Sequence, residues 1–358
     1  MNTGKTMNNF KIKKSLIALA LALPAFASSA ATDVSKEALQ EQLFKIQNRL
    51  EQLEGSKGSS AGQDNTSINV YGTFRPTFGL TSSDSSDSWD VADALSRIGI
   101  AAEHKLNNGL TGFAKGEFKI DISDNGEFGE ARKAYVGIKG DFGRVALGKQ
   151  DTTQYAMIGD PVDIFNRGAA PLAYDDVGQF RQQELVSYRK SFGNLDFRVE
   201  GQFKGDSANE GSDFVNGGVK YNGGDFTLAA AYLTKDLAGT DQNTLGVSGS
   251  KSMGDWYVAA AYQDIDNGGN NLDVTTLDLV GAYKVNATYK VKVGYGLLSD
   301  DLAVNSNEVT RINATVEWHG SPDYYLFAEF QNNNFKDDNA SDNNQFIVGM
   351  RYNFDYSF

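Results

Sequence analysis

Apolar and polar side chains alternate along the chain from Ile68 to its last residue, Phe358. Between Leu110 and Ile122, for example, one set of alternate positions is mostly apolar and the other is mostly charged. A period of two is that of a β-strand, whose successive side chains point to opposite faces. We count about sixteen such segments. The sequence therefore predicts an all-β domain whose strands have one apolar and one polar face.

The connections between these segments alternate in length. Short turns such as NNG, GDFG and GSPD interleave with long segments rich in Asp, Asn, Ser and Gly, among them TSSDSSDSWDVADALS and SDDLAVNSNE. This alternation predicts an antiparallel meander whose two ends face different surroundings. Two-faced strands of about ten residues are typical of a transmembrane β-barrel. A soluble β-sandwich, propeller or barrel is the alternative.

The inner face of such a barrel is predicted to be polar. A barrel of about sixteen strands is too wide for side chains to fill, so it encloses an aqueous channel. Five charged residues lie on the strand face opposite the apolar set, and they are predicted to line the channel: Arg75, Arg97, Lys115, Glu117 and Lys119.

The N-terminus has the pattern of an export signal. Lysines precede the apolar run Ser15–Ala27, and small residues follow it, so residues 1–30 are predicted to be a secretory signal peptide. Removing its four lysines changes the formal net charge from −13 to −17, which argues against nucleic acid as a partner. Cysteine is absent, which excludes thiol catalysis, thiolate metal sites and disulfides.

A short helical segment follows, at residues 32–54. Its apolar positions step by four and three, which is the rhythm of a coiled coil: Leu39, Leu43, Ile46, Leu50 and Leu53. About three heptads are too few for a lone stable helix, so we expect partner helices; a single amphipathic helix lying on its own domain is the alternative. Residues 55–67 are rich in Gly and Ser and predict a linker, and residues 68–358 form the predicted barrel domain.

The connection from Asp151 to Arg181 differs from the other long connections. It contains two of the five prolines and several apolar residues of its own. A long loop with such anchors is usually functional, and we expect this one to fold into the barrel. Four carboxylates would then stand in the lumen: Asp160, Asp163, Asp175 and Asp176. An external loop is the alternative.

Two stretches of the chain resemble the Gram-negative general porins. SRIGIAAEHKLNNGLTGFAKGEF resembles the second and third strands of that family, and ARKAYVGIKGDFGRVALGKQ resembles the fourth and fifth. The terminal Phe358 is similar to the family's assembly signal. The resemblance covers roughly residues 68–358 and implies a sixteen-stranded antiparallel β-barrel, trimeric, in the outer membrane of a Gram-negative bacterium, with an inward-folded third loop.

The resemblance also implies roles for particular residues. Asp160 and Asp163 match the acidic element of the family's third loop. Basic wall residues of the family match Arg75, Arg97, Arg132 and Arg181. The assembly signal, read by the outer-membrane barrel assembly machinery, matches Tyr352, Phe354, Tyr356 and Phe358. The family's PEFGG-like loop motif is not present, and strict alternation on the fourth strand would turn Arg132 outward if Ala134 faces lipid.

The sequence offers no site for enzymatic chemistry. The two histidines, His104 and His319, lie next to predicted short turns, and no nucleophile motif accompanies either. We therefore expect a channel for passive diffusion of small hydrophilic solutes and ions, modestly cation-selective, with no cofactor or metal. The alternatives are a substrate-selective porin, for sugars or small organic acids, and an envelope-tethering protein. Expected partners are two further copies of the chain, outer-membrane lipid and lipopolysaccharide, and peptidoglycan or a periplasmic protein at the coiled coil.

Overall fold

The computed structural model describes residues 65–124, 126–167, 172–203, 214–236, 240–269, 272–300, 308–336 and 341–358. The predicted signal peptide, the coiled-coil residues Leu39, Leu43, Ile46, Leu50 and Leu53, and most of the predicted linker lie outside the described residues. A compact unit spans Asp64–Phe358, and its first strand begins at Thr66.

Strands dominate this unit. Their bounds are β1 Thr66–Phe74, β2 Pro76–Ser83, β3 Asp87–Asp93, β4 Arg97–Lys105, β5 Thr111–Ile120, β6 Phe128–Gly140, β7 Gly143–Asp151, β8 Arg181–Phe192, β9 Leu195–Gln202, β10 Phe214–Asn222, β11 Phe226–Asp236, β12 Asp241–Met253, β13 Trp256–Asp266, β14 Val274–Lys284, β15 Tyr289–Asp300, β16 Val309–Ser321, β17 Tyr324–Phe335 and β18 Asn343–Ser357.

In the described ranges these segments make sixteen barrel strands. β1 and β2 are two parts of one strand interrupted at Arg75, because both pair with β18. β3 and β4 are likewise two parts of the next strand, interrupted at Ala94–Ser96. Each strand pairs antiparallel with its neighbours, and the pairing of β18 with β1 and β2 closes the sheet. The predicted sixteen-stranded antiparallel barrel is confirmed.

The prediction for the first long connection was wrong. β2 and β3 run through most of TSSDSSDSWDVADALS and leave only residues 84–86 as a turn. The irregular backbone lies on the same hairpin but away from its turn, between β3 and β4, where Leu95 has φ +70°. There the Arg75 N–H donates to Ser96 Oγ at 2.7 Å, and the Ala94 N–H donates to Arg75 O at 2.9 Å. Side-chain and loop bonds thus replace the regular ladder at this interruption.

The outer face of the barrel is apolar. Aliphatic side chains at strand centres are largely exposed, as in Ile100, Val136, Leu147, Leu228, Val293 and Val316. Aromatic side chains are exposed at the strand ends beside the short turns, as in Phe192, Trp256, Tyr289 and Tyr356. An apolar band edged by aromatic residues is the pattern of a barrel in lipid. Among the described residues, no helix is long and apolar enough to cross a membrane.

Phe358, which directly follows β18, still pairs with the first strand. The Phe358 N–H donates to Ile68 O at 2.8 Å, and the Ile68 N–H donates to Phe358 O at 3.2 Å. On the outer face, Phe354 packs over Gly72, where a Cβ would lie 2.4 Å from Phe354 Cζ. Phe358 is 72% exposed. The C-terminal strand therefore forms one side of the closing seam.

The third loop lies inside the barrel along its described residues, 152–167 and 172–180. It contains a π-helical turn, Tyr155–Gly159, a 3₁₀ turn, Asp160–Val162, and a short helix α1, Tyr174–Val177. Its buried apolar residues pack on small residues of the inner wall, and this cluster comprises Met157, Ile158, Val162, Phe165, Leu172, Tyr174, Ala231, Ala259, Ala261 and Val280. The apolar anchors seen in the sequence therefore explain the inward fold, because they bury against the wall.

Candidate functional site

The inner wall opposite the first strands is shaped to receive the third loop. A Cβ on Gly294 would lie 2.4 Å from Phe165 Cζ, and a Cβ on Gly296 would lie 2.5 Å from Leu172 Cβ. Glycine is needed where another part of the chain approaches the backbone this closely. Gly218 makes room for Met157 in the same way, with 2.6 Å to its sulfur atom.

Wall carboxylates hold the loop by its backbone. Asp278 on β14 accepts the Ala173 N–H at 2.7 Å and the Tyr174 N–H at 2.9 Å. Glu329 on β17 accepts the Asn166 and Arg167 N–H groups at 2.9 and 3.0 Å. Hydrogen bonds to charged acceptors are stronger than neutral ones. The loop is therefore fixed at two separate points on the barrel wall.

Two ion pairs add to this attachment. Arg311 on β16 pairs with Asp176 and also donates to Leu172 O at 2.9 Å. At the far tip of the loop, Arg167 pairs with Asp90 on β3. The loop thus reaches across the lumen from β7 to β3 and narrows the channel between itself and the wall formed by β18 and β1–β8.

That wall carries a basic cluster arranged around two carboxylates. Glu117 on β5 accepts a hydrogen bond from Arg132 Nε at 2.9 Å and lies 4.0 Å from Arg97 Nε. The Tyr71 hydroxyl also donates to Glu117, at 2.9 Å. Asp151, at the end of β7, pairs with Lys133 and lies 3.2 Å from Arg181 Nε.

A β-bulge brings Arg132 into this cluster. Lys133 is opposite Glu117, but Ala131 is opposite Phe118, so Arg132 is an extra residue on β6. An extra residue changes the facing of the strand locally. Arg132 and Lys133 therefore both point inward, while Ala134 remains on the outer face. This resolves the ambiguity of the fourth strand that strict alternation left open.

The loop carboxylates face the basic wall. Asp163 accepts a hydrogen bond from the Tyr155 hydroxyl at 2.7 Å. Burial raises the pKa of Asp163, and the positive charges of Arg75 and Arg97 partly oppose that rise. Burial likewise raises the pKa of Asp160, although its side chain is open to the lumen, and the neighbouring Asp151 raises it further.

Asp175 and Asp176 lie further along the loop, on α1. Asp176 is committed to the ion pair with Arg311, on the side of the barrel away from the basic cluster. Enclosure by the barrel, together with the adjacent Asp176, raises the pKa of Asp175 to about 6. Three loop carboxylates, Asp160, Asp163 and Asp175, therefore face the lumen. In the described part of the chain, none of them has a basic partner within ion-pair distance.

The remaining wall residues lie at the edges of the cluster. Lys115 Nζ lies 4.6 Å from the Tyr71 ring centroid. Lys119 pairs with Asp121 at 3.1 Å near the end of β5, where hydrogen bonds from Ser123 and Lys119 lower the pKa of Asp121 to about 2. Sequence reasoning did not single out several inward groups, which are Asp151, Asp278, Arg311 and Glu329. Alternation along β6 identifies Lys133 as an inward-facing residue. The wall residues that hold the third loop cannot be identified in this way, because their role depends on where the loop packs against the wall.

Comparisons with known proteins agree with this architecture. A family model described as Gram-negative porin matches residues 16–354. A monosaccharide porin from Halomonas sp is 29% identical over 330 residues, which are 81% of this chain and 84% of the relative. OmpT of Vibrio cholerae, in a trimer form, has a TM-score of 0.65 at 21% identity. An anion-selective porin from Comamonas acidovorans has a TM-score of 0.67 at 18% identity. Each of these two alignments covers 81% of this chain and 100% of the other.

The chain belongs to the Gram-negative porin family, because the family model covers most of its length. It is an outer-membrane β-barrel channel and not an enzyme. Its lumen is bounded on one side by the inward loop and on the other by the basic wall that faces it.

Proposed function

We propose that this porin is a passive diffusion channel for small hydrophilic solutes and ions, with a modest preference for cations. The observation that supports it best is the third loop, anchored inside the barrel with Asp160 and Asp163 facing a basic wall. Opposed charges across a narrow aqueous gap orient water and polar solutes and disfavour apolar ones. Low-dielectric walls strengthen this field.

The preference for cations should be small. Loop carboxylates and the formal charge of −17 on the exported chain favour cations. The basic residues around Glu117 and Asp151 outnumber those two carboxylates and oppose that bias. We therefore expect the acidic residues of the long connections to decide whether the channel prefers cations or anions. These connections lie at the end of the barrel that we assign to the outside. The same acidic residues are also candidates to bind divalent cations among lipopolysaccharide head groups.

Recordings in planar bilayers, combined with swelling of liposomes loaded with an impermeant solute, test the function. We expect stepwise conductance and size-dependent entry of neutral sugars. A protein that inserts and folds but neither conducts nor admits small sugars would contradict the proposal.

A sugar-selective channel is the second candidate, since the 29% identical Halomonas relative is named a monosaccharide porin. Glucose added during the recording separates the two. Concentration-dependent interruption of the current by glucose, but not by a sugar alcohol of the same size, would favour selectivity. Equal and weak effects of both solutes would favour general diffusion.

We further propose that three copies assemble, as the trimer form of OmpT does. Residues 1–30 would be removed on export, and three copies of residues 32–54 would form a coil on the periplasmic side, joined to the barrels by residues 55–67. Deleting residues 32–67 tests the coil: a less stable trimer on native gels indicates trimerisation. Unchanged trimers that no longer bind isolated peptidoglycan sacculi indicate envelope tethering, and unchanged binding would contradict that second role.

A further inference from the structure

Three arginines stand side by side on the inner wall, on the short-turn side of the constriction. Arg144 on β7 is directly opposite Arg189 on β8, and Arg189 is directly opposite Arg198 on β9. Side chains in such positions have Cβ atoms about 5 Å apart, and like charges there destabilise the sheet. This row, here called the arginine ladder, therefore concentrates positive charge that the fold does not require.

The ladder lacks partners of its own. Within the described part of the chain, none of its three guanidinium groups has a carboxylate within 4.0 Å, and Arg144 and Arg198 make no side-chain hydrogen bond. Arg189 makes only two long hydrogen bonds, at 3.4 Å, to Gln150 Oε1 and Asp151 O. Its buried Nε has no partner in the described structure. A buried donor without an acceptor costs stability.

Two carboxylates beside the ladder each bond to other groups, although Glu200 Oε2 has no hydrogen-bond partner among the described residues. Glu200 and Asp196 flank Arg198 on the same face of β9. Glu200 accepts the backbone N–H of Thr153 at the base of the third loop. Asp196 accepts hydrogen bonds from Ser191 and, at 2.8 Å, from Asn222 Nδ2. They reduce the local positive charge but do not occupy the N–H groups of the ladder.

The ladder also has room and a fixed geometry. The Arg144 guanidinium carbon lies 4.3 Å from the Phe113 ring centroid and 5.2 Å from that of Tyr135, and cation–π contacts of this kind hold an arginine in place. A cavity of about 430 Å³ opens beside the row, between Gly143, Arg189 and Arg198. It is large enough for a small solute.

We propose that the arginine ladder is a binding site for small oxyanions, that is, carboxylates and phosphates. The planar guanidinium group donates two parallel hydrogen bonds to such anions, which chloride and neutral sugars cannot accept in the same way. A bound oxyanion relieves the repulsion between the arginines and supplies the missing acceptors. The site lies beyond the constriction and adds oxyanion binding to a channel whose bulk preference is for cations.

Calorimetric titration of the purified, detergent-solubilised protein at low salt tests the site, with malonate and inorganic phosphate as separate probes. We expect saturable binding of at least one probe, and the stronger one identifies the preferred class. Arg189→Gln should weaken binding about tenfold, the loss of one charged hydrogen bond. Lys290→Gln, on the opposite wall near the short turns, removes the same charge and should leave binding unchanged. No saturable heat with either probe, or equal losses in both variants, would overturn the proposal.

A bilayer recording gives a second measurement. Malonate should interrupt the current at lower concentration when added on the short-turn side, and Arg198→Gln should abolish this asymmetry. Interruption that is equal from both sides and insensitive to Arg198→Gln would overturn the proposal. The titration measures equilibrium binding, which does not depend on the ion selectivity of the channel. A channel without cation preference would therefore contradict the proposed selectivity but not the proposed oxyanion site.

Discussion

Arg132 Nε donates a hydrogen bond to Glu117 Oε1 at 2.9 Å, although regular alternation along β6 would point Arg132 into lipid. The bulge on β6 thus adds one positive charge to the wall and supplies Glu117 with a second arginine beside Arg97. Glu117 is nearly buried, with 5% of its side chain exposed. The negative charge of Glu117 therefore offsets the repulsion between the neighbouring positive charges of Arg97 and Arg132.

Removing that carboxylate should affect stability and selectivity together. Glu117→Gln removes the negative charge that Arg97 and Arg132 share, and we expect a loss of about 1–3 kcal/mol in the free energy of unfolding. The wall also gains one net positive charge, so the reversal potential should move toward anions. Heat-dependent mobility on gels and reversal potentials measure the two effects. An unchanged melting temperature and an unchanged reversal potential would show that Glu117 does not organise the cluster.

The fit of the third loop against the wall predicts a larger channel when that fit is disturbed. A side chain at Gly294 would collide with Phe165, so Gly294→Val should displace the loop and raise single-channel conductance. Gly281→Val is the matched control, because its Cβ would meet no atom closer than 3.9 Å. Conductance that is the same in both variants would contradict the anchoring role of this contact.

Selectivity should depend on pH through the loop carboxylates. The pKa of Asp175 is raised to about 6, so this group is charged at pH 7.5 and increasingly protonated as the pH falls through 6 to 5. Cation preference should therefore fall over this range. In Asp175→Asn that part of the change should disappear. A wild-type reversal potential that is flat between pH 7.5 and 5 would refute the assignment.

The C-terminal aromatic residue is predicted to act in assembly. Phe358 pairs with Ile68 through its backbone, whereas its side chain is largely exposed. Phe358→Ser should therefore lower the amount of folded protein in the outer membrane more than the conductance of the molecules that do assemble. Phe346→Ser, which changes an outward aromatic residue on β18, is the control. Equal yields of wild type and Phe358→Ser would contradict the role.

Much of the fold follows from local pattern, and much of the site does not. Alternation alone predicts the inward facing of Arg97, Lys115 and Glu117, because the period of a strand is fixed by its geometry. The bulge at Arg132 breaks that period and leaves no mark in a single sequence. Asp278 and Glu329 could not be singled out either, because their role in holding the third loop depends on where that loop packs against the wall. Long-range contacts of this kind are set by the closed barrel as a whole.

We propose that the third-loop carboxylates and the basic wall together form the narrow part of a water-filled channel. The reversal potential in a KCl gradient, for wild type and for the double variant Asp160→Asn with Asp163→Asn, tests it most directly. We predict a small cation preference in wild type and a clear shift toward anions in the double variant. An anion preference in wild type, or the same reversal potential in both proteins, would show that Asp160 and Asp163 do not set the selectivity of the channel.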